Sequence, residues 1–256
     1  MGISLNSNYQ SAWGVRSINQ GMLGLYRSME RLSSGLAINR ASDDPAGLII
    51  SETLRSRIAS MNQEIRNVSS SISKYQTVSS TVSTLRSQLT ELRSLAVGAV
   101  NDAGNDESSQ QAFATSADDL VQTFNNTVEQ AEYNGKKTLD GSEGSLASVS
   151  ELSGIDLSTP DAAAESIGRI DTAIKELDGI QIELGTTQKN ELESRLASLS
   201  VTRENLVAAE SQIRDVDYAQ EYSNYVSNMI RTRTSLAILA QTSMLGMGIV
   251  DLLGRS

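Results

Sequence analysis

The chain has 256 residues, a net charge of −10 and a pI of about 4.6, and only 4% of its residues are aromatic. It contains no cysteine and no histidine, which excludes a disulfide framework and a thiolate nucleophile and removes the commonest general base and zinc ligand. The acidic balance disfavours nucleic acids and anionic membrane surfaces as partners. We therefore predict no enzyme, and no catalytic, metal-binding or cofactor-binding residue.

The first segment has apolar residues at alternating steps of four and three, the heptad spacing of a helix that packs along one face. These residues are Ile18, Met22, Leu25, Met29, Leu32 and Leu36. Gly21 and Gly24 interrupt the segment, and each costs about 1 kcal/mol relative to alanine in a helix. We expect this helix to be marginal alone and to need partners.

A break follows at residues 33–47, and Asp43-Asp44-Pro45 predicts a new helix with an Asp cap and proline at its first position. No glycine or proline occurs between Leu48 and Val97, which predicts one long bundle helix. The heptad spacing of this helix is interrupted at Ser79. The heptad residues before the interruption are Leu54, Ile58, Met61, Ile65, Val68, Ile72 and Tyr75, and those after it are Val82, Leu85, Leu89, Leu92 and Leu95.

The centre of the chain is less regular. Residues 101–108 predict a turn, and the helix after it is expected to end at a left-handed stop near Tyr133-Asn134-Gly135. Residues 141–161 are rich in glycine and serine, and their short alternating apolar runs fit a small β-hairpin or a loop equally well.

Helical spacing returns at Ile167 and continues toward the C-terminus, where the sequence becomes more apolar. Its most apolar segment, Leu236–Leu253, is interrupted by polar residues, so no membrane-spanning helix is predicted. The predicted class is mainly α, a long-helix coiled-coil bundle with the two termini paired. Such a pair still leaves an apolar outer surface, and burying that surface on further copies with a constant rise makes a helical filament.

Several motifs resemble bacterial flagellins. Residues 30–47, ERLSSGLAINRASDDPAG, are similar to the family's N-terminal signature, as are LRSLAV at residues 92–97 and YNGKKTL at residues 133–139. Residues 209–226, AESQIRDVDYAQEYSNYV, resemble the C-terminal signature, and residues 235–253 resemble the terminal helix. The matching motifs stand in the family's order at both ends of the chain.

The resemblance implies a self-assembling subunit of the flagellar filament, located outside the cell. It divides the chain into an inner coiled-coil domain (residues 1–40 and 216–256), a long-helix domain (41–140 and 162–215) and a short surface loop or hairpin (141–161) in place of outer domains. It also implies type III export without a cleaved signal, and an export chaperone and cap and junction proteins as partners.

The resemblance also implies roles for the residues of this chain that stand at the positions of the family's motifs. The assembly interface is expected to use the apolar residues of both ends: Ile18, Met22, Leu25, Met29, Leu32, Leu36, Leu236, Leu239 and Leu252. The spoke between inner and outer layers is expected to use Arg31, Arg40, Asp43 and Asp44.

The LRSLAV motif matches the region where family members contact neighbouring subunits and the vertebrate innate immune receptor. Arg93 and Leu95 match that region, whereas Glu91 and Ser116 replace an arginine and an acidic residue and weaken the expected receptor contact. The exposed hydroxyls of the surface loop, and candidates for O-glycosylation, are Ser142, Ser145, Ser148, Ser150 and Ser153. The alternatives are a hook-filament junction protein or another coiled-coil surface assembly protein.

Overall fold

The computed structural model describes residues 9–101, 106–142 and 144–254, without the side chains of residues 10, 11 and 245–254. The α-helices are α1 (Tyr9–Ser34), α2 (Pro45–Ala99), α3 (Glu107–Glu129), α4 (Pro160–Thr186), α5 (Ser194–Arg214) and α6 (Tyr218–Gly254), and a π-helical segment, Thr187–Glu193, joins α4 to α5. The predicted mainly α class is confirmed. Within the described residues, no helix combines the length and apolarity that crossing a bilayer requires.

The chain divides into two compact units. We call Met1–Ser60 with Arg203–Ser256 the terminal unit and Met61–Thr202 the middle unit. The divisions fall inside α2 and α5, whereas the sequence places its domain boundaries in the connections before α2 and before α6. The three-part division into inner, long-helix and loop domains stays a prediction.

The core of the middle unit lies between α2, α3 and α4. The α2 side chains in it keep the three-four spacing that begins at Val78: Val78, Val82, Leu85, Leu89, Leu92, Ala96 and Ala99. They pack with Ala117, Phe124 and Val128 of α3 and with Ala163, Ile170, Leu177 and Leu184 of α4. Val78 is thus a buried core residue next to Ser79, where the sequence predicts an interruption of the spacing. Near the end of the helix, the fully buried residue is Ala96, whereas Leu95 is only partly buried.

The small hairpin lies just before the glycine- and serine-rich segment. Strand β1 (Glu132–Tyr133) pairs antiparallel with β2 (Lys136–Lys137). Between them, Asn134 and Gly135 have φ angles of 53° and 73°, and two successive positive φ angles are typical of the type I′ turn that Asn-Gly favours. The predicted helix stop at these residues is wrong: α3 ends at Glu129, and Asn-Gly turns a hairpin.

The described residues of 141–159 form no strand beyond an isolated bridge between Asp140 and Ser148, yet they contribute Val149, Leu152 and Leu157 to the core. Leu146 and Val149 donate backbone hydrogen bonds to Thr138 and Leu139, and side chains of the helices bond the backbone further along. The Asn125 amide accepts a hydrogen bond from the Leu152 N–H at 2.9 Å and donates one to the Leu152 carbonyl at 3.1 Å. The Ser166 hydroxyl does the same for Asp156, at 2.9 and 3.0 Å. Backbone and side-chain bonds together thus satisfy polar groups of the described part of this segment without a regular strand.

Candidate assembly surface

Helices α1 and α6 pack against each other through a row of small residues. On α1 this row repeats at steps of three and four: Gly14, Ser17, Gly21, Gly24 and Ser28. The first four of these meet, in reverse chain order, Leu239, Ser235, Thr232 and Asn228. The two helices therefore run antiparallel with a constant register. We call these residues the α1–α6 seam.

Glycine is required at the seam by the close approach of the two helices. A Cβ added at Gly21 would overlap the hydroxyl of Thr232, and one added at Gly24 would lie 2.7 Å from Nδ2 of Asn228. Next to them, the hydroxyls of Ser17 and Ser235 are hydrogen-bonded at 2.9 Å. Helix α1 is continuous from Tyr9 to Ser34, as its spacing predicts, and the two glycines that interrupt its apolar heptad are contact positions for α6.

The seam ends in an ion pair and a backbone pairing. Arg31 contacts the Glu221 carboxylate at 3.5 Å, and Glu221 is only 6% exposed. Just beyond, the Ala37 N–H donates to the carbonyl of Arg214 at 2.7 Å, and the Val216 N–H donates to the carbonyl of Gly35 at 2.9 Å. The connections that follow α1 and precede α6 are thereby joined to each other.

The predicted spoke residues shape the connection between α1 and α2. Asp43 accepts hydrogen bonds from the N–H groups of Asn39 and Arg40, at 3.2 and 3.0 Å. The bond from Arg40 is the main reason that the pKa of Asp43 lies below its usual value, and the charges of Arg31 and Arg27 add to it. Arg40 itself pairs with Glu30 at 3.0 Å.

Asp44 caps helix α2. Its Oδ1 accepts hydrogen bonds from the N–H groups of Ala46 and Gly47, at 3.1 and 2.9 Å. Pro45 takes the first position of the helix, where its missing N–H is not needed. The predicted helix start is confirmed. The role of the four spoke residues in a filament remains a prediction, although each has a structural partner within the terminal unit.

Of the predicted apolar interface residues, Leu239 belongs to the seam, where it meets Gly14, whereas those on α1 and Leu236 on α6 flank it. Met22, Met29 and Leu236 are 41%, 51% and 59% exposed. Five others are partly buried, namely Ile18, Leu25, Leu32, Leu36 and Leu239, and the side chain of Leu252 lies outside the described residues. Each apolar heptad residue of α1 from Ile18 to Met29 thus follows directly after a small residue that faces α6. The small residues repeat with the same three-four spacing, so the sequence contains a second periodic pattern that marks the contact face.

Exposed apolar side chains concentrate in the terminal unit. Of the twenty large hydrophobic side chains that are exposed among the described residues, sixteen belong to it. Trp13, Leu23 and Ile238 are among them. An exposed apolar surface of this extent marks a site of interaction with another molecule.

The residues of the LRSLAV motif lie on α2 in the middle unit. Glu91 is exposed, and Leu95 is partly buried against the core. Arg93 donates to Asp171 of α4 at 2.6 Å, and this bond raises the pKa of Arg93 and lowers the pKa of Asp171. Arg93 is therefore engaged in an ion pair within the middle unit. Ser116 is exposed on α3.

The five candidate serines of residues 141–161 differ in environment. The hydroxyl of Ser145 is partly buried, 2.7 Å from the carbonyl oxygen of Thr138 and 2.6 Å from that of Ala147. The other four are exposed, and two of them reach carboxylates: Ser142 contacts Asp140 and Ser150 contacts Glu176. Ser145 is thus a structural hydroxyl.

Comparisons with known proteins agree with the motifs. Residues 5–144 match the family model of the bacterial flagellin N-terminal helical region, and residues 167–253 match that of the C-terminal helical region. A flagellin of Halalkalibacterium halodurans is 34% identical, with 93% of each chain covered. The flagellar filament 33 kDa core protein of Treponema phagedenis is 30% identical over 97% of this chain and 99% of that protein. The crystal structure of Bacillus cereus flagellin superimposes with a TM-score of 0.47 at 19% identity, covering 57% of this chain and 94% of that one. With family models matching both ends and relatives aligned over nearly the full length, this chain belongs to the bacterial flagellin family.

Proposed function

We propose that the chain is a structural subunit that assembles into the flagellar filament through the apolar face of the terminal unit. Its membership of the flagellin family supports the filament role. The observation that carries the choice of surface is the concentration of exposed apolar side chains beside the α1–α6 seam, on the two helices nearest the chain ends. The seam holds α1 and α6 together with small residues, so their larger apolar residues remain for neighbouring copies.

The remaining roles follow from the resemblance. We propose that the subunit is exported by a type III route, works outside the cell, contacts an export chaperone and cap and junction proteins, and has no enzymatic activity. The family models and relatives are described as flagellins and filament core proteins, which favours the filament subunit over the junction protein. Glu91 and Ser116 favour weak recognition by the innate immune receptor.

Point variants in the two units test the assembly surface. The double variant Met22→Ser and Met29→Ser removes two exposed apolar side chains beside the seam, and Ile182→Ser with Val201→Ser removes two exposed ones from the middle unit. Full burial of a methionine is worth roughly 1.5–3 kcal/mol. We therefore expect the first variant to raise the critical concentration for polymerisation by at least about tenfold, and the second to change it less than about threefold.

The measurement is the protein left in the supernatant after sedimentation of filaments, with electron microscopy of the pellet. Equal polymerisation of the two variants would show that assembly uses another surface. Far-UV circular dichroism of the monomers checks that both variants keep their helices.

The surface-loop role of residues 141–161 has its own test. Gly144 has no atom within 4 Å of an added Cβ, and exposed loop tips accept insertions. A short tag after Gly144 should leave filaments intact and be labelled along their length. The same tag after Ser150 is the control, because Val149 and Leu152 on either side of it are buried, and it should disrupt the middle unit. A Gly144 tag that blocks assembly or stays unlabelled would contradict the proposal.

A further inference from the structure

A cavity of about 270 Å³ opens between α1 and α6 at one end of the seam. Three of its lining residues are arginines: Arg27 and Arg31 on α1 and Arg231 on α6. Ser227 and Asn224 add polar groups, and Glu221 is the one carboxylate among the described residues that line it. Small-molecule pockets usually begin at roughly 300 Å³, so the size suits a single side chain.

The positive charges of the cavity are only partly neutralised. Glu221 pairs with Arg31. Among the described residues, neither Arg27 nor Arg231 forms an ion pair, and both are exposed. Asp43 is near enough for the charge of Arg27 to act on it, but its hydrogen bonds go to the N–H groups of Asn39 and Arg40. Two guanidinium groups on facing helices are thus available, one from each helix.

The charged residues that line the cavity are mainly positive, whereas the chain as a whole is acidic. Helices α1 and α6 together carry five arginines and three carboxylates, in a chain with a net charge of −10. The middle unit has 10 lysines and arginines against 21 aspartates and glutamates, a net charge of −11. Guanidinium groups bind carboxylates through two parallel N–H donors. In a polymer of identical chains, an acidic side chain of another copy is the carboxylate most available to this cavity.

We propose that the cavity lined by Arg27, Arg31 and Arg231 receives a carboxylate side chain from a second copy of the chain during assembly. This inference rests on the proposed self-assembly and adds a polar contact to its apolar surface. The entering carboxylate bridges α1 and α6 and cancels the repulsion between Arg27 and Arg231, so subunit docking also stabilises the helix pair. A buried contact between charges of this kind fixes orientation as well as affinity.

Charge-removing variants test the proposal against matched controls. Arg27→Gln and Arg231→Gln change cavity residues, while Arg16→Gln on α1 and Arg233→Gln on α6 remove the same charge from exposed residues outside the cavity. We expect each cavity variant to raise the critical concentration for polymerisation by about tenfold and each control to change it less than about twofold. Circular dichroism verifies the helices of every variant.

Sulfate serves as a competing oxyanion probe. Millimolar sulfate, compared with chloride at equal ionic strength, should raise the critical concentration of the wild-type chain and leave that of Arg231→Gln unchanged. The variant supplies the baseline for general effects of sulfate on apolar association.

The outcomes separate this proposal from the proposed function. Wild-type protein that forms no filaments would overturn the function itself. Normal filaments from the wild type, with cavity variants that behave like the controls, would overturn the carboxylate contact alone. Sulfate binding to the monomer by calorimetry, without any effect of the cavity variants on assembly, would also overturn it and identify a site for free oxyanions.

Discussion

The terminal and middle units differ in what they bury. Of the 21 buried hydrophobic residues among the described positions, all but Ile38 lie in the middle unit, whereas sixteen of the twenty exposed large ones lie in the terminal unit. The charges differ in the same sense: the middle unit has a net charge of −11, and the terminal unit has 11 basic against 10 acidic residues. One unit therefore has a core of its own, and the other has a surface that needs partners.

The difference also appears in the contacts within each unit. The middle unit closes around leucine, valine and phenylalanine side chains, which stabilise a fold by removing apolar area from water. Apart from Leu239, the α1–α6 seam is built of glycine, serine, threonine and asparagine, which bury little apolar area. We infer that the helix pair relies on assembly for much of its stability. Fold stability and polymerisation should then respond to different residues.

Removing the end of α6 should have the largest effect. Deletion of residues 235–256 removes Ser235, Leu239 and the apolar end of the helix, so polymerisation should be abolished while the middle unit keeps its helices and its melting temperature. Sedimentation and circular dichroism measure the two properties. A chain with a Gly/Ser-rich replacement of equal length separates the loss of the apolar face from the loss of chain length. Normal filaments from either variant would contradict the assignment of this surface.

Leucine-to-alanine substitutions in the two units should have opposite consequences. Leu85 is fully buried in the middle unit, so Leu85→Ala should lower the free energy of unfolding of that unit by about 2–5 kcal/mol. Leu236 is exposed, so Leu236→Ala should leave thermal stability nearly unchanged and weaken polymerisation. Ile182→Ala, an exposed position of the middle unit, is the control for both and should alter neither by much. Chemical denaturation and sedimentation provide the measurements, and similar effects of Leu85→Ala and Leu236→Ala on stability would remove the distinction between the units.

Glycine-to-alanine substitutions should raise the stability of the middle unit and lower that of the α1–α6 pair in the terminal unit. Gly179 and Gly185 on α4 have open space around an added Cβ, so replacing both should stabilise the middle unit by about 1 kcal/mol each. Gly21 and Gly24 face Thr232 and Asn228, where overpacking typically costs about 1–3 kcal/mol.

The measurements for the glycine pairs are the melting temperature and the critical concentration for polymerisation. We expect the α4 double variant to melt higher and polymerise normally. The α1 double variant should polymerise less well despite its better helix propensity. Improved polymerisation of the α1 variant would mean that the seam is looser than its geometry implies.

The sequence predicts the presence of the long helices better than it predicts which face of each helix packs against a neighbour. Long uninterrupted heptads and the Asp44-Pro45 start locate the α2 helix, because these signals are local. The α1–α6 seam is not predicted from apolar spacing, because the close approach of two helices favours small residues at the contact positions instead of large apolar ones. Likewise, the core position of Ala96 depends on the helices that surround it, and sequence alone favours the larger Leu95.

The segment of residues 141–159 shows a second limit. Its alternating apolar residues fit a hairpin or a loop. In the structure, the backbone of Leu146 and Val149 bonds to Thr138 and Leu139, whereas the later part of the segment bonds to the side chains of Asn125, Ser166 and Gln110. These three side chains lie on α3 and α4, so the later part of the segment has no local signal for its order. Arg27 and Arg231 also lie far apart in the sequence and line the same cavity only through the α1–α6 register.

The smallest expected effect concerns pH and the ion pair between Arg93 and Asp171. The hydrogen bond from Arg93 holds the pKa of Asp171 below its usual value of 3.8. A carboxyl with a lowered pKa in the folded state stabilises the fold fully above its unfolded pKa, and this contribution is lost as the pH falls through the lower folded pKa. Asp171→Asn should therefore melt at a lower temperature than the wild type near neutral pH, and the difference should shrink below about pH 4.

Both side chains of this pair are exposed, so solvent and salt screen the contact and the shift in melting temperature should be small. Asp119→Asn on α3 is the control, since Asp119 forms no ion pair with any described residue, and its variant removes the same charge from the acidic middle unit. Differential scanning calorimetry between pH 2.5 and pH 7 (a range set by the usual carboxyl pKa) measures both variants. If Asp171→Asn and Asp119→Asn follow the same pH profile, the effect belongs to the net charge of the middle unit and the specific pair between α2 and α4 contributes nothing to its stability.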